Sequence, residues 1–154
     1  MQHLVDPDSF GFLITDLSRM IRAEMDRRVA QAGLGITAGE ARTLAHAARA
    51  GAVRQNVLAE RMGIEAMTLS AYVERLEERG MVTRKTDPAD RRAKRIELTP
   101  AANAVLATIR SIAADIRAEA SRSLPRDDWE NMLAALKIAR GNLSDARLAG
   151  KDAA

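Results

Sequence analysis

A chain of 154 residues with 47% hydrophobic but only 3% aromatic side chains can build a core, from Leu, Ile, Val, Met and Ala, and still supply an assembly region. It has no cysteine, which excludes disulfides, thiolate metal sites and a thiol redox switch within the chain. The net charge is only +3, the first residues hold no secretory hydrophobic region, and no apolar run approaches membrane-spanning length. No membrane partner and a cytoplasmic location are therefore expected.

Residues 1–9 read as a loose lead, with Pro7 marking where helix can begin. Phe10, Leu13, Leu17, Met20, Ile21, Met25 and Val29 then recur at helical spacing, which predicts a helix to about Ala32, stopped by Gly33 and Gly35. Phe12 and Ile14 widen the stripe, so this helix is expected to meet more than one surface. Thr37 and Glu40 form a T-x-x-E capping box, in which hydroxyl and carboxylate satisfy each other's backbone donors. A helix to about Arg49 follows, with Ala41, Leu44, Ala45 and Ala48 inward and Gly51 at its end. Residues 54–62 predict a short helix with Val57, Leu58 and Met62 on its apolar side, closed by Gly63. Gln55 and Asn56 begin it, a place from which side chains touch a DNA backbone outside the groove. A simple N-terminal cap at Asn56 is the equal alternative.

Residues 66–99 carry the most information. Leu69, Tyr72, Val73 and Leu76 fall at i, i+3, i+4 and i+7, one buried helical face. The opposite face opens with Ala66, Met67, Thr68, Ser70 and Ala71, and carboxylates arrive only at Glu74, Glu77 and Glu78. An uncharged helix start offers N–H groups and the positive end of the dipole to a phosphate, while Thr68 and Ser70 can reach base edges. Gly80 supplies the C-cap. Residues 82–86 and 95–99 predict two short strands joined by the turn chemistry of Asp87-Pro88-Ala89-Asp90. From Thr83 to Arg95, six bases (Arg84, Lys85, Arg91, Arg92, Lys94, Arg95) stand against two acids, a local +4 in a chain of +3. A charge run can simply protect a sheet edge. Here it directly follows a helix, glycine turn and second helix, the layout in which the second helix enters a major groove and a ribbon arginine suits the minor groove beside it.

Thr99 and Pro100 read as N-cap and first residue of the next helix. Val105, Ile109, Ile112, Ile116 and Ala120 then repeat at heptad spacing. Pro125 opens a last helix to about Leu148, with Asp127 and Asp128 in its first turn and Trp129, Met132, Leu133, Leu136, Ala139, Arg140 and Leu143 toward one side. The centre is too small to cover all three flanking helices, whose bare stripes would invite aggregation. The first, fifth and sixth helices are therefore expected to interlock with those of a second copy; a monomeric three-helix cap is the alternative.

The run GIEAMTLSAYVERLEERGMVTRKTDPADRRAKRIELTP, residues 63–100, resembles the winged helix-turn-helix of MarR-type transcription regulators, nearest to the SlyA-like branch. Its most specific portion is DPADRRAKRIELT, residues 87–99, with the spacing from Leu76-Glu77 to Arg79-Gly80. The resemblance implies a mainly α fold with a small β-wing. It divides the chain into an N-terminal dimerisation helix (1–35), the winged helix-turn-helix (36–99), C-terminal dimerisation helices (100–148) and a tail (149–154). It also implies a homodimeric repressor reading a pseudo-palindromic double-stranded operator, relieved by a small aromatic or phenolic ligand. By resemblance Arg92 enters the minor groove with Asp90 orienting it, and Arg91, Lys94, Arg84 and Lys85 meet phosphates, adding affinity and salt dependence. Thr68 and Ser70 match recognition positions, Met67 suits a thymine methyl, and Arg75 reaches a phosphate or base. Ala71 stands where many relatives carry arginine, and a missing bidentate guanine contact removes about 1–3 kcal/mol of discrimination. Either the operator differs or Arg75 substitutes from one turn further on.

The histidines are His3 and His46. His46 reads as a structural residue of the second helix, with an effector-pocket polar group as its functional alternative. No Ser/His/Asp set, glycine-rich phosphate loop or His/carboxylate cluster is visible, so no catalysis, cofactor or metal is expected. From another functional class, the alternative is a helical dimeric protein-interaction module whose basic hairpin docks an acidic partner. Salt dependence and sequence preference of DNA binding separate the two.

Overall fold

The computed structural model describes residues 5–152. The expected lead at residues 1–4, with His3, lies outside the described residues; residues 5–9 form an exposed turn in which the Asp8 N–H donates to Asp6 Oδ1 at 2.9 Å. Helix α1 (Phe10–Gln31) ends where the glycines begin. Only its C-terminal part joins the core, through Val29 and Met25. Ahead of them Phe10, Phe12, Leu13, Ile14, Leu17, Met20 and Ile21 are each 38–59% exposed, an apolar face that one copy of this chain leaves in water.

Helix α2 (Ala38–Ala50) starts on the complete capping box: the Glu40 N–H donates to Thr37 Oγ1 at 3.2 Å and the Thr37 N–H to Glu40 Oε2 at 3.1 Å. Of its expected inward face, Ala41 and Leu44 are buried and Ala45 packs against the core, while Ala48 does not belong to it. Ala48 is exposed and Ala47 is buried, because the buried stripe is Glu40, Thr43, Leu44 and Ala47 at i, i+3, i+4 and i+7. Two members are polar, so apolar spacing alone ended the face at Ala48 instead of Ala47. The Thr43 hydroxyl is satisfied by donating to the Gly39 carbonyl at 2.9 Å.

A two-residue strand, β1 (Val53–Arg54), precedes α3 (Gln55–Met62), which begins one residue later than expected. Leu58, Ala59 and Met62 are its buried residues. Gly63, at φ +65°, turns the chain in the left-handed region where glycine is favoured. Helix α4 (Ala66–Glu78) buries Leu69, Val73 and Leu76 completely, with Tyr72 half-buried. Its end is a Schellman motif: the Gly80 N–H donates to the Glu77 carbonyl at 2.8 Å and the Met81 N–H to that of Leu76 at 2.9 Å.

Strands β2 (Val82–Asp87) and β3 (Asp90–Leu98) pair antiparallel from Val82 opposite Leu98 to Asp87 opposite Asp90, with an irregularity at Thr86/Asp87. β1 adds to the other side of β3, giving the order β1-β3-β2. Both hairpin strands exceed the expected spans, and the turn shrinks to Pro88 and Ala89. Residues 90–94 carry no in–out alternation because none of them is buried, so no period marks them as strand. Thr99 stands at the N-cap position with Pro100 first inside the turn, as expected, but its side chain is used elsewhere. It makes no side-chain helix cap; its hydroxyl donates to the Gly80 carbonyl and its N–H to the Met81 carbonyl at 3.0 Å, closing the base of the hairpin.

A 3-10 turn (Pro100–Ala102) leads into α5 (Asn103–Ala120), which buries Val105, Leu106, Ile109, Ile112 and Ile116, while Ala120 is exposed. Leu44, Leu58, Leu69, Val73, Leu76, Val82 and Ile96, each at most 1% exposed, make the centre of the core. The chain divides into compact units after Ile116. In the second, α6 (Arg126–Asp152) runs past the expected end, has no buried residue among those described, and exposes Met132, Leu133, Ile138, Leu143 and Leu148. The fold is thus mainly helical with a small antiparallel wing.

Candidate nucleic-acid interface

With Leu69, Val73 and Leu76 turned into the core, α4 presents its first turns outward. Met67 is 86% exposed, Ala66 and Thr68 are exposed, and Ser70 and Ala71 are half-buried. Glu65 occupies the N-cap but makes no side-chain cap bond, and no acid stands in the first turn. The positive end of the helix is therefore left for an outside acceptor.

Beside this tip lies the wing. A groove of about 430 Å³ is lined by Gln55 and Asn56 from α3, Ala66 from α4, Arg84 from β2, and Asp90, Arg92, Ala93 and Lys94 from β3. The fold thus brings Gln55, Arg84, Asp90, Arg92 and Lys94, expected from the sequence, to one concavity, and adds Ala93. Met67, Thr68, Ser70, Ala71, Arg75, Lys85 and Arg91 are not among its lining residues. Asn56 has its own local role, its Oδ1 accepting from the Val57 N–H at 2.9 Å.

The basic ribbon is less free than its charge count suggests. Arg84 is bonded by Glu77 of α4, whose carboxyl those bonds hold below the usual range. Lys85 pairs with Glu97 at 2.6 Å, and Lys94 donates to Thr86 Oγ1 at 3.2 Å. Asp87, 3% exposed, accepts from Arg54 Nε at 2.8 Å and from the Ala89 N–H, which hold its carboxyl low, and lies 3.3 Å from Arg95 Nε. Arg54 and Asp87 are 33 residues apart, so the pair had no local signal. Asp90 braces the turn by accepting from the Arg92 backbone N–H at 3.0 Å, not from its guanidinium. Among the described residues the side chains of Arg91 and Arg92 make no hydrogen bond or ion pair, and both are exposed.

Arg75 is also engaged. Its Nε donates to Glu40 Oε1, and its guanidinium lies 5.4 Å from the Tyr72 ring centroid. Glu40 is 1% exposed; burial pushes its carboxyl up, but the bonds from Arg75 and the Thr37 N–H outweigh this and hold it below the ordinary range. The capping box was readable locally, whereas the second partner of the same carboxylate stands 35 residues away. His46 sits half-buried on α2, its pKa lowered by burial and by Arg49, Arg22 and Arg42, so the imidazole is neutral at neutral pH. Among the described residues no group of three or more His, Cys, Asp or Glu could hold a metal ion, and no helix is long and apolar enough to cross a membrane.

A helix–glycine turn–helix whose second helix has no acid in its first turn, flanked by a basic β-ribbon, defines a winged-helix DNA-binding regulator. The sequence profile described as MarR family matches residues 34–93. The crystal structure of transcriptional regulator PA3341 is 35% identical, with 89% of this chain and 99% of that one covered and a TM-score of 0.73. CouR from Rhodococcus jostii RHA1, solved bound to p-coumaroyl-CoA, is 25% identical over 89% and 94% of the two chains, TM-score 0.67. Apo wild-type MarR from E. coli shares the fold at 20% identity, over 88% and 98%, TM-score 0.71. The chain belongs to the MarR family, a family of DNA-binding transcriptional regulators rather than enzymes.

Proposed function

We propose that the protein is a homodimeric, sequence-specific repressor of the SlyA-like branch that reads a pseudo-palindromic operator in double-stranded DNA and is released by a small aromatic ligand. The observation that carries this reading is the convergence of the α3 start, the α4 tip and the wing on one groove, with Arg92 and Lys94 in its wall. On this reading Thr68 and Ser70, outside the groove's lining, meet base edges, Met67 lies near a thymine methyl, and Ala71 leaves one guanine unread. Arg92 enters the minor groove, and Arg91, Lys94 and Gln55 meet the backbone. Arg84 and Lys85 retain Glu77 and Glu97 as partners and add less. Residues 1–35 and 100–148 supply the dimer contacts and 36–99 the DNA-reading region, a division supported by the bare apolar faces of α1 and α6. Support for a ligand comes from CouR and its bound p-coumaroyl-CoA.

The test is selection of genomic fragments with purified protein, then salt titration of binding to the best fragment and to scrambled DNA. A palindrome bound far more tightly than scrambled DNA, with affinity falling steeply with salt, is expected. Equal weak binding to both would overturn the reading and favour an acidic protein partner.

A further inference from the structure

Arg75 is the one arginine of α4; it does not line the groove, and although its side chain is 46% exposed its Nε is turned toward α2. Its Nε is committed to Glu40 Oε1, while Glu40 Oε2 accepts from the Thr37 N–H, so one oxygen of a buried carboxylate closes the cap of α2 and the other joins α4 to that same first turn. One turn back, Tyr72 rests on Gly39, where any side chain would overlap the Tyr72 ring. Tyr72 and Arg75 are i and i+3 on one face, and together they seat the middle of α4 on residues 39–40. The apolar anchors Leu69, Val73 and Leu76 set how deep α4 lies, but apolar contact is non-directional. The charge-assisted bond has direction. Thr68 lies four residues ahead of Tyr72, about 6 Å along the axis, so a tilt at the seat is carried to the tip. Recognition constellations tolerate only about 0.5 Å of misplacement.

We propose that Glu40 is a positioning residue for DNA reading: by holding Arg75 on the first turn of α2 it fixes the angle at which Thr68 and Ser70 meet the bases, without itself touching DNA. This rests on the proposed recognition role of α4. It also removes Arg75 as a substitute for the arginine absent at position 71.

Glu40→Gln is the cleanest variant, because glutamine also serves at this position of a capping box, so the cap survives while the charge is lost. Arg75→Met removes the other partner and keeps the length of the stem. Each variant and the double variant are examined in the full chain by hydrogen exchange of amides 69–79, and by titrating the selected fragment and scrambled DNA over salt. Each single variant is expected to speed exchange along α4 and to lower the preference for the selected fragment by about 5- to 30-fold. The double variant should lose no more than either single one, the mark of a coupled pair. The salt slope on scrambled DNA should not change. A slope lower by about one unit in Arg75→Met, with preference intact in Glu40→Gln, would place Arg75 on the DNA and overturn the proposal. Faster exchange with unchanged preference would make the pair merely structural, which also overturns it. If Arg75→Met does not fold, Glu40→Gln decides alone. A wild-type chain that prefers no fragment would instead refute the DNA-reading role itself, and the proposal with it, whatever the exchange arm shows.

Discussion

Arg84 of β2 reaches Glu77 in the last turn of α4, with Nε at 3.0 Å and Nη2 at 2.8 Å from Oε2, while its backbone N–H donates to Oε1 at 3.2 Å. One carboxylate therefore clamps the wing to the recognition helix and neutralises a ribbon cation. Glu77→Gln should release Arg84 toward phosphate. Binding to scrambled DNA then tightens and its salt slope steepens by up to about one unit. A salt titration checks this; an unchanged slope means that Arg84 stays off the DNA even when freed.

Arg92 is exposed and its side chain is unbonded among the described residues, so Arg92→Ala removes nothing from the fold. Operator affinity should fall by about 1–3 kcal/mol, with stability within about 0.5 kcal/mol of the parent in urea melts. Undiminished affinity at moderate salt would sink the wing role.

Asp87 and Glu40 are both held below their ordinary carboxyl range by arginine and backbone donors. A carboxyl lowered on folding contributes stability that is complete above its unfolded value, near 4, and is lost as pH falls through the folded value. Urea midpoints should thus hold from pH 7 to 5 and decline below about 4. Asp87→Asn should be less stable at pH 7 and show a shallower acid decline. Parallel curves for variant and parent would show that the Arg54–Asp87 pair contributes nothing.

Gly39 offers a sign reversal. In the parent, Gly39→Ala meets the Tyr72 ring, and overpacking of this kind costs about 1–3 kcal/mol. With Tyr72→Leu already present the obstruction is relieved, and alanine's helix propensity should make the same change stabilising by up to about 1 kcal/mol. Equilibrium denaturation of the four proteins measures both numbers. A cost that persists in the leucine background would locate the clash elsewhere.

For the assembly, Leu17 and Ile21 lie one turn apart on the bare face of α1, 48% and 45% exposed. Sedimentation equilibrium should find the parent dimeric and the Leu17→Glu, Ile21→Glu double variant monomeric, with helix content retained. A parent that is monomeric at micromolar concentration would remove the dimer from the proposed function.

What the sequence made readable was local. Thr37 and Glu40 announce a helix start within four residues, Gly63 and Gly80 announce reversals, and Leu69, Val73 and Leu76 announce a buried face, because each signal sits inside one element. Residues 90–94 escaped because an exposed ribbon has no buried face to impose a period of two. β1 escaped because two residues cannot show one. The partners of Arg54, Arg75 and Arg84 escaped for a different reason: ion pairs between elements depend on packing, and counting charges along the chain treats each of those arginines as free. The ribbon's local +4 was read correctly as composition. As available charge it is much smaller.

Thr99 ties the end of β3 back to Gly80 and Met81, where the ribbon set out. The chain therefore leaves the helical body and re-enters it at one point; Arg84 and Asp87 are tied back to Glu77 and Arg54, but among the described residues the exposed side chains of Arg91 and Arg92 beyond them hold nothing in the fold. Such an excursion is free to drift. On the proposed division of labour, a descendant could gain or lose arginines at its tip, and so set how tightly it holds any DNA, while the vocabulary of bases read by α4 is inherited unchanged.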